Sequence, residues 1–127
     1  MSDLKLLGLV VEDMAVSLAF YRLLGLDIPE EAEEEPHAEA VTPQGFRVAW
    51  DTRELMETIH GAWVEPVGHR MVLAFECASP EEVDALYREI LQAGHEGFKE
   101  PWDAFWGQRY AVVVDPDGNL VDLFAPL

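Results

Sequence analysis

The residues of this chain with the chemistry to bind or react are four histidines, one cysteine, an acidic run and a short aromatic segment. His37 follows the run Glu30-Glu31-Ala32-Glu33-Glu34-Glu35-Pro36, and His60 and His69 fall in or beside a stretch without periodicity. His95 lies just past a glycine that ends a helix, where the helix dipole favours an imidazolium. Cys77 has no neighbouring motif for a Cys–His nucleophilic pair and reads as an inert packing residue. The acidic run reads as a solvated loop. Trp102-Asp103-Ala104-Phe105-Trp106 is the unusual segment. Its rings suit either a rim that stacks planar ligands or the contact with a second copy.

The elements that must position these groups follow from pattern. Half of the 127 residues are hydrophobic, which describes one globular domain with a continuous core. Eight basic against 25 acidic residues give a formal charge of −17, the wrong sign for nucleic acid or an anionic membrane. No apolar run approaches the roughly 20 residues of a membrane span. Without a visible signal peptide and with a single cysteine, a cytoplasmic location is expected.

Leu4–Val11 reads as a strand, and Asp13 caps a helix over Met14–Leu24 with Val16, Phe20 and Leu23 on one face. Gly25 ends it. Ala38–Thr42 and Phe46–Asp51 form a first hairpin. A connector follows, with a short helix over Arg53–Ile59. Arg70–Cys77 is the next strand, and Ser79-Pro80-Glu81-Glu82 opens a helix to Ala93 with Val83, Leu86 and Ile90 as its buried stripe. Glu96–Lys99 is a short strand. Gln108–Val114 and Leu120–Phe124 close the chain as a hairpin through Asp115-Pro116-Asp117-Gly118-Asn119.

The halves echo one another. Thr42-Pro43-Gln44-Gly45 matches Asp115-Pro116-Asp117-Gly118 at an offset of 73 residues, and Tyr21-Arg22 matches Tyr87-Arg88 at 66. Such a repeat predicts two copies of one unit. The expected fold is α+β, two βαβββ modules over 4–51 and 69–126 joined by a connector at 52–68, within a single domain.

Val11-Glu12-Asp13 with Phe20-Tyr21 and Leu24-Gly25, and Trp106-Gly107-Gln108-Arg109 with Asp115-Pro116-Asp117-Gly118-Asn119, resemble the opening and closing signatures of the vicinal oxygen chelate superfamily, which includes glyoxalases, extradiol dioxygenases and bleomycin resistance proteins. The resemblance covers nearly the whole chain. It implies that the modules curl into a paired half-barrel around a ligand site, and that the protein is a homodimer. It also implies four quasi-equivalent metal positions, which carry over to Leu6, Ala49, Val72 and Asp122. Three of these have no donor atom, and single-residue slips toward Trp50, Asp51, His69 or Arg70 do not produce two histidines and two carboxylates. No metal and no cofactor is expected.

If those four positions face the cavity, alternation brings Arg47 and Asp51 beside Ala49, and Arg70, Ala74 and Glu76 beside Val72. Leu120 and Phe124 join Asp122. On the strand between, Arg109, Ala111 and Val113 form one inward set. Trp50 then points to the core. The arginines either pair with Asp122, Glu76 and Asp51 or grip a carboxylate, phosphate or amide of a ligand. The expected site is Arg47, Arg70, Glu76, Trp102, Trp106, Arg109 and Asp122. The leading expectation is a metal-independent protein that binds or sequesters a small molecule, an antibiotic or another aromatic compound. The alternatives are a lyase, isomerase or dioxygenase centred on Asp122, and a domain whose cavity is filled by its own side chains.

Overall fold

The computed structural model describes residues 1–127. The chain divides into two compact units, Met1–Pro66 and Val67–Leu127. None of its helices is long and apolar enough to cross a membrane.

In the first unit β1 (Leu7–Val11) is followed by α1 (Met14–Leu23), β2 (His37–Val41), β3 (Arg47–Thr52) and α2 (Arg53–His60). The sheet order is β1-β3-β2, with β1 parallel and β2 antiparallel to β3. Asp13 caps α1 by accepting the Val16 amide at 3.1 Å. The helix buries Met14, Ser17, Leu18, Phe20 and Tyr21, while Val16 is 45% exposed. Of the expected stripe Phe20 is buried and Leu23 half-buried, but Val16 is not: the polar Ser17 belongs to the i, i+3, i+4 set on the sheet side. Trp50 lies fully buried with its ring 5.5 Å from Tyr21, as its direction on β3 predicts.

The acidic run is not simply a loop. Glu30–Glu34 form a 3-10 turn, and Arg22 holds its approach by donating to the carbonyls of Ile28 and Pro29, each at 3.0 Å. This turn stands where the second unit has a strand, so the first unit reads β-α-β-β. Pro29 and a row of glutamates supply poor strand residues there.

The second unit contains β4 (Leu73–Glu76), α3 (Pro80–Gln92), β5 (Glu96–Ala104), β6 (Gln108–Val114) and β7 (Leu120–Pro126). The order is β4-β7-β6-β5, with β4 parallel to β7 and the rest antiparallel. Ser79 caps α3 through the Glu82 amide, and Glu82 reaches back to the Ala78 amide at 2.6 Å. Val83 and Ile90 are fully buried over Ala111, Val113, Val121, Leu123 and Ala125, each apolar side chain contributing on the order of 2 kcal/mol. Helix and strand approach closely at Gly97, where an added Cβ would collide with the Tyr87 hydroxyl.

The two hairpins share one loop geometry. In the first, the Thr42 amide donates to the Phe46 carbonyl, and Thr42 Oγ1 accepts the Phe46 amide at 3.0 Å. In the second, the Asp115 amide donates to the Asn119 carbonyl. The Asp115 carboxylate accepts the amides of Asp117 and Asn119 at 2.9 and 2.8 Å, and Asn119 Nδ2 at 2.8 Å. The 73-residue echo is therefore a repeat of structure.

Candidate functional site

The face of the second sheet turned away from α3 is fixed by register. Tyr110 pairs with Phe124, Val112 with Asp122 and Val114 with Leu120. Ala74 and Glu76 of β4 pair with Asp122 and Phe124. Lys99 and Trp102 of β5 pair with Val112 and Tyr110, and Glu96 pairs with Val114. Opposed residues share a face, so Glu76, Glu96, Lys99, Trp102, Tyr110, Asp122 and Phe124 stand together.

At its centre the Tyr110 hydroxyl donates to Asp122 Oδ2 at 2.5 Å. Burial, and then this bond to a carboxylate, push the Tyr110 phenol up to about 12. Tyr110 stacks on Phe124 at 6.1 Å. Trp102 and Trp106 stand edge-on to it at 5.5 and 5.3 Å, and meet each other at 90°. Three steeply inclined rings make a corner. Trp106 is held by donating its indole N–H to Gln108 Oε1 at 2.8 Å, yet stays 49% exposed. The Lys99 ammonium lies 3.9 Å over the Trp102 ring.

Of the expected site residues, Glu76, Trp102 and Asp122 lie on this face, with Trp106 in the turn beside it. Arg109 does not. It pairs with Ala125, on the face that packs against α3, so the inward set Arg109, Ala111 and Val113 was the wrong parity. Arg109 instead donates to Asp103 at 2.5 Å and to Asp84 of α3 at 2.7 Å, and these two carboxylates raise its already high pKa. Arg70 precedes β4 among exposed residues, so strand alternation does not place it.

Trp102 is also corrected. It sits inside a nine-residue β5, not in an irregular segment beyond a strand ending at Lys99. Register shifts between Gly97 and Lys99 and between Lys99 and Trp102 break the alternation that would have revealed it. Tyr110 and Lys99 are site residues that pattern alone did not reveal, although Tyr110 follows from the corrected parity of β6.

Arg47 lies in the first unit, on the sheet face that also carries Ala49 and Asp51. His37 belongs there too, as the first residue of β2 and not part of the acidic run. Its Nδ1 meets Asp51 at 2.5 Å and its Nε2 meets Glu39 at 2.8 Å, while Arg47 donates to Glu39. The bonds to Asp51 and then to Glu39 raise the His37 pKa. Arg47 and then His37 lower that of Glu39.

Neither face fits a metal. Leu6, Ala49 and Val72 carry no donor, and Asp122 is engaged by Tyr110. The two nitrogens of His37 point in opposite directions to different carboxylates, so three donors do not converge.

The comparisons agree with this architecture. A glyoxalase/bleomycin resistance protein/dioxygenase family enzyme from Burkholderia phytofirmans PsJN superposes with a TM-score of 0.85 at 23% identity, covering 99% of this chain and 100% of that one. A glyoxalase-related enzyme from Fulvimarina pelagi gives 0.83 at 20% identity, covering 98% and 88%. A glyoxalase/bleomycin resistance protein/dioxygenase from Nocardioides gives 0.72 at 28% identity, covering 100% and 86%. None of the curated proteins compared matches the chain. The family model of the Glyoxalase/Bleomycin resistance protein/Dioxygenase superfamily matches residues 4–123, so the chain belongs to that superfamily.

Proposed function

We propose that this protein binds a small aromatic molecule without a metal, holding it against the Trp102–Trp106–Tyr110 corner. The observation that carries this reading is the corner itself: three inclined rings beside a carboxylate, with Trp106 half open to solvent. Apolar walls with a few placed polar groups are the usual composition of a ligand site. Val112, Val114 and Leu120 supply the rest of the apolar surface, while Asp122 and Glu76 supply acceptors. Metal independence is supported by the missing donors at Leu6, Ala49 and Val72. Sequestration needs only such a site.

The second reading is a lyase, isomerase or dioxygenase acting around Asp122, favoured by the short Tyr110–Asp122 bond. Against it, a phenol pushed up to about 12 keeps its proton at neutral pH and gives that hydrogen bond to Asp122, so one oxygen of that carboxylate is already engaged. We further propose a cytoplasmic homodimer, in line with the single cysteine and the exposed Phe98 and Phe105.

Titration with a panel of planar compounds tests the leading reading. Saturable quenching of tryptophan fluorescence that disappears in Trp106→Ala supports it. A panel that gives no response sinks it, and turnover of a bound compound that Asp122→Asn abolishes moves the choice to the enzyme. Sedimentation at micromolar concentration reports the dimer.

A further inference from the structure

The charge of the ligand can be read from what the folded chain does with its basic residues. Three arginines would have made the site a grip for anions. The structure takes Arg109 to the opposite face, between Asp84 and Asp103, pairs Arg47 with Glu39 in the first unit, and leaves Arg70 exposed ahead of β4, off the strands of the site face. Arg88 lies with Arg109, Asp84, Tyr87, Glu100 and Pro101 around a groove of about 370 Å³ on the helix side. On the strands of the site face, three carboxylates remain (Glu76, Glu96 and Asp122) against one cation, Lys99. In a chain carrying −17, that local balance attracts cations.

The one cation already shows where another would sit. The Lys99 ammonium occupies the Trp102 ring face at 3.9 Å, within the range at which the ring quadrupole holds positive charge. Lys99 itself is exposed, so it is a tethered and strongly hydrated occupant that can swing into solvent. A quaternary or delocalised organic cation is less strongly hydrated and loses less on leaving water. Resting on the ligand-site reading above, we infer that the ligand is a weakly hydrated organic cation whose charge replaces the Lys99 ammonium over Trp102, with Asp122, in register with Lys99 across β6, as its counter-charge.

The test follows the assigned indole N–H resonances of the intact protein by NMR, titrating choline, its uncharged isostere 3,3-dimethylbutan-1-ol and a planar carboxylate. Choline should shift the Trp102 resonance with an affinity about tenfold above that of the isostere. In Lys99→Met, where the tethered competitor is gone, choline should bind about two- to fivefold more tightly. Equal binding of choline and the isostere overturns the inference, as does weaker choline binding in Lys99→Met. A response to the carboxylate alone refutes the cation and leaves the ligand site standing. Silence of the Trp102 and Trp106 resonances toward all three compounds and toward the planar panel sinks both readings together.

Discussion

The loop that joins β6 to β7 decides whether Tyr110 meets Asp122, so it is the place to test the physical account. Asp115 is 4% exposed, and its carboxylate accepts two backbone amides and the Asn119 side chain, at 2.8–2.9 Å. Asp115→Ala leaves those three donors without that acceptor. A hydrogen bond to a charged group is worth about 1.5–3 kcal/mol, but water reaches an opened loop and recovers part of the loss, so about 2–4 kcal/mol is expected. For 127 residues the unfolding entropy is about 0.27 kcal/mol/K, which makes the loss about 7–15 °C in Tm. Asp115→Asn keeps one carbonyl acceptor for the backbone amides but turns a donor toward Asn119, and should cost about 1–2 kcal/mol. The repeat supplies an internal control. Thr42→Val removes a single exposed bond of 3.0 Å at the equivalent position and should cost about 0.5–1 kcal/mol. Urea denaturation followed by circular dichroism measures all three. An Asp115→Ala no worse than Thr42→Val would refute the claim that this carboxylate sets the hairpin.

Four further outcomes are expected. The raised His37 pKa means that its contribution is complete below 6.5 and fades as pH rises through the folded value, so urea midpoints should fall over that window; exposure limits the drop to under about 1 kcal/mol, and His37→Gln should remove it. Gly97→Ala forces the Tyr87 ring away from β5 and should cost about 1–3 kcal/mol by the same assay, with Tyr87→Leu relieving part of the loss. Arg109→Met should lower Tm by a few degrees yet leave ligand affinity within about twofold, because its guanidinium ties β6 to α3 on the face away from the rings. Trp50→Phe removes a buried indole N–H that has no partner, so calorimetry should show a loss well below the roughly 3–5 kcal/mol of Trp50→Ala.

The parts of this molecule that were legible in its sequence are those where local chemistry and global packing agree. Thr42-Pro43-Gln44-Gly45 and Asp115-Pro116-Asp117-Gly118 specify the same loop because glycine takes a positive φ at the matching place, 88° at Gly45 and 87° at Gly118. Val83 and Ile90 announce the buried side of α3, and Trp50 is core as its neighbour Ala49 requires. The site was less legible because it depends on parity. A strand such as β6, with Tyr110, Ala111, Val112 and Val113 in succession, is apolar on both faces, and period-2 alternation cannot say which side is which. An arginine then looks like a ligand contact when it is a clamp to Asp84. Two bulges erase the same signal in β5, so Lys99 as a site residue and the place of Trp102 within a strand stay hidden until pairing with Val112 and Tyr110 is seen. His37 was masked by its acidic neighbours, though its partners Glu39 and Asp51 stand two and fourteen residues away on the same sheet face. One reversed parity changed more than a residue list. It moved a guanidinium off the site face and left three carboxylates against Lys99 there, the balance from which a cationic ligand is inferred.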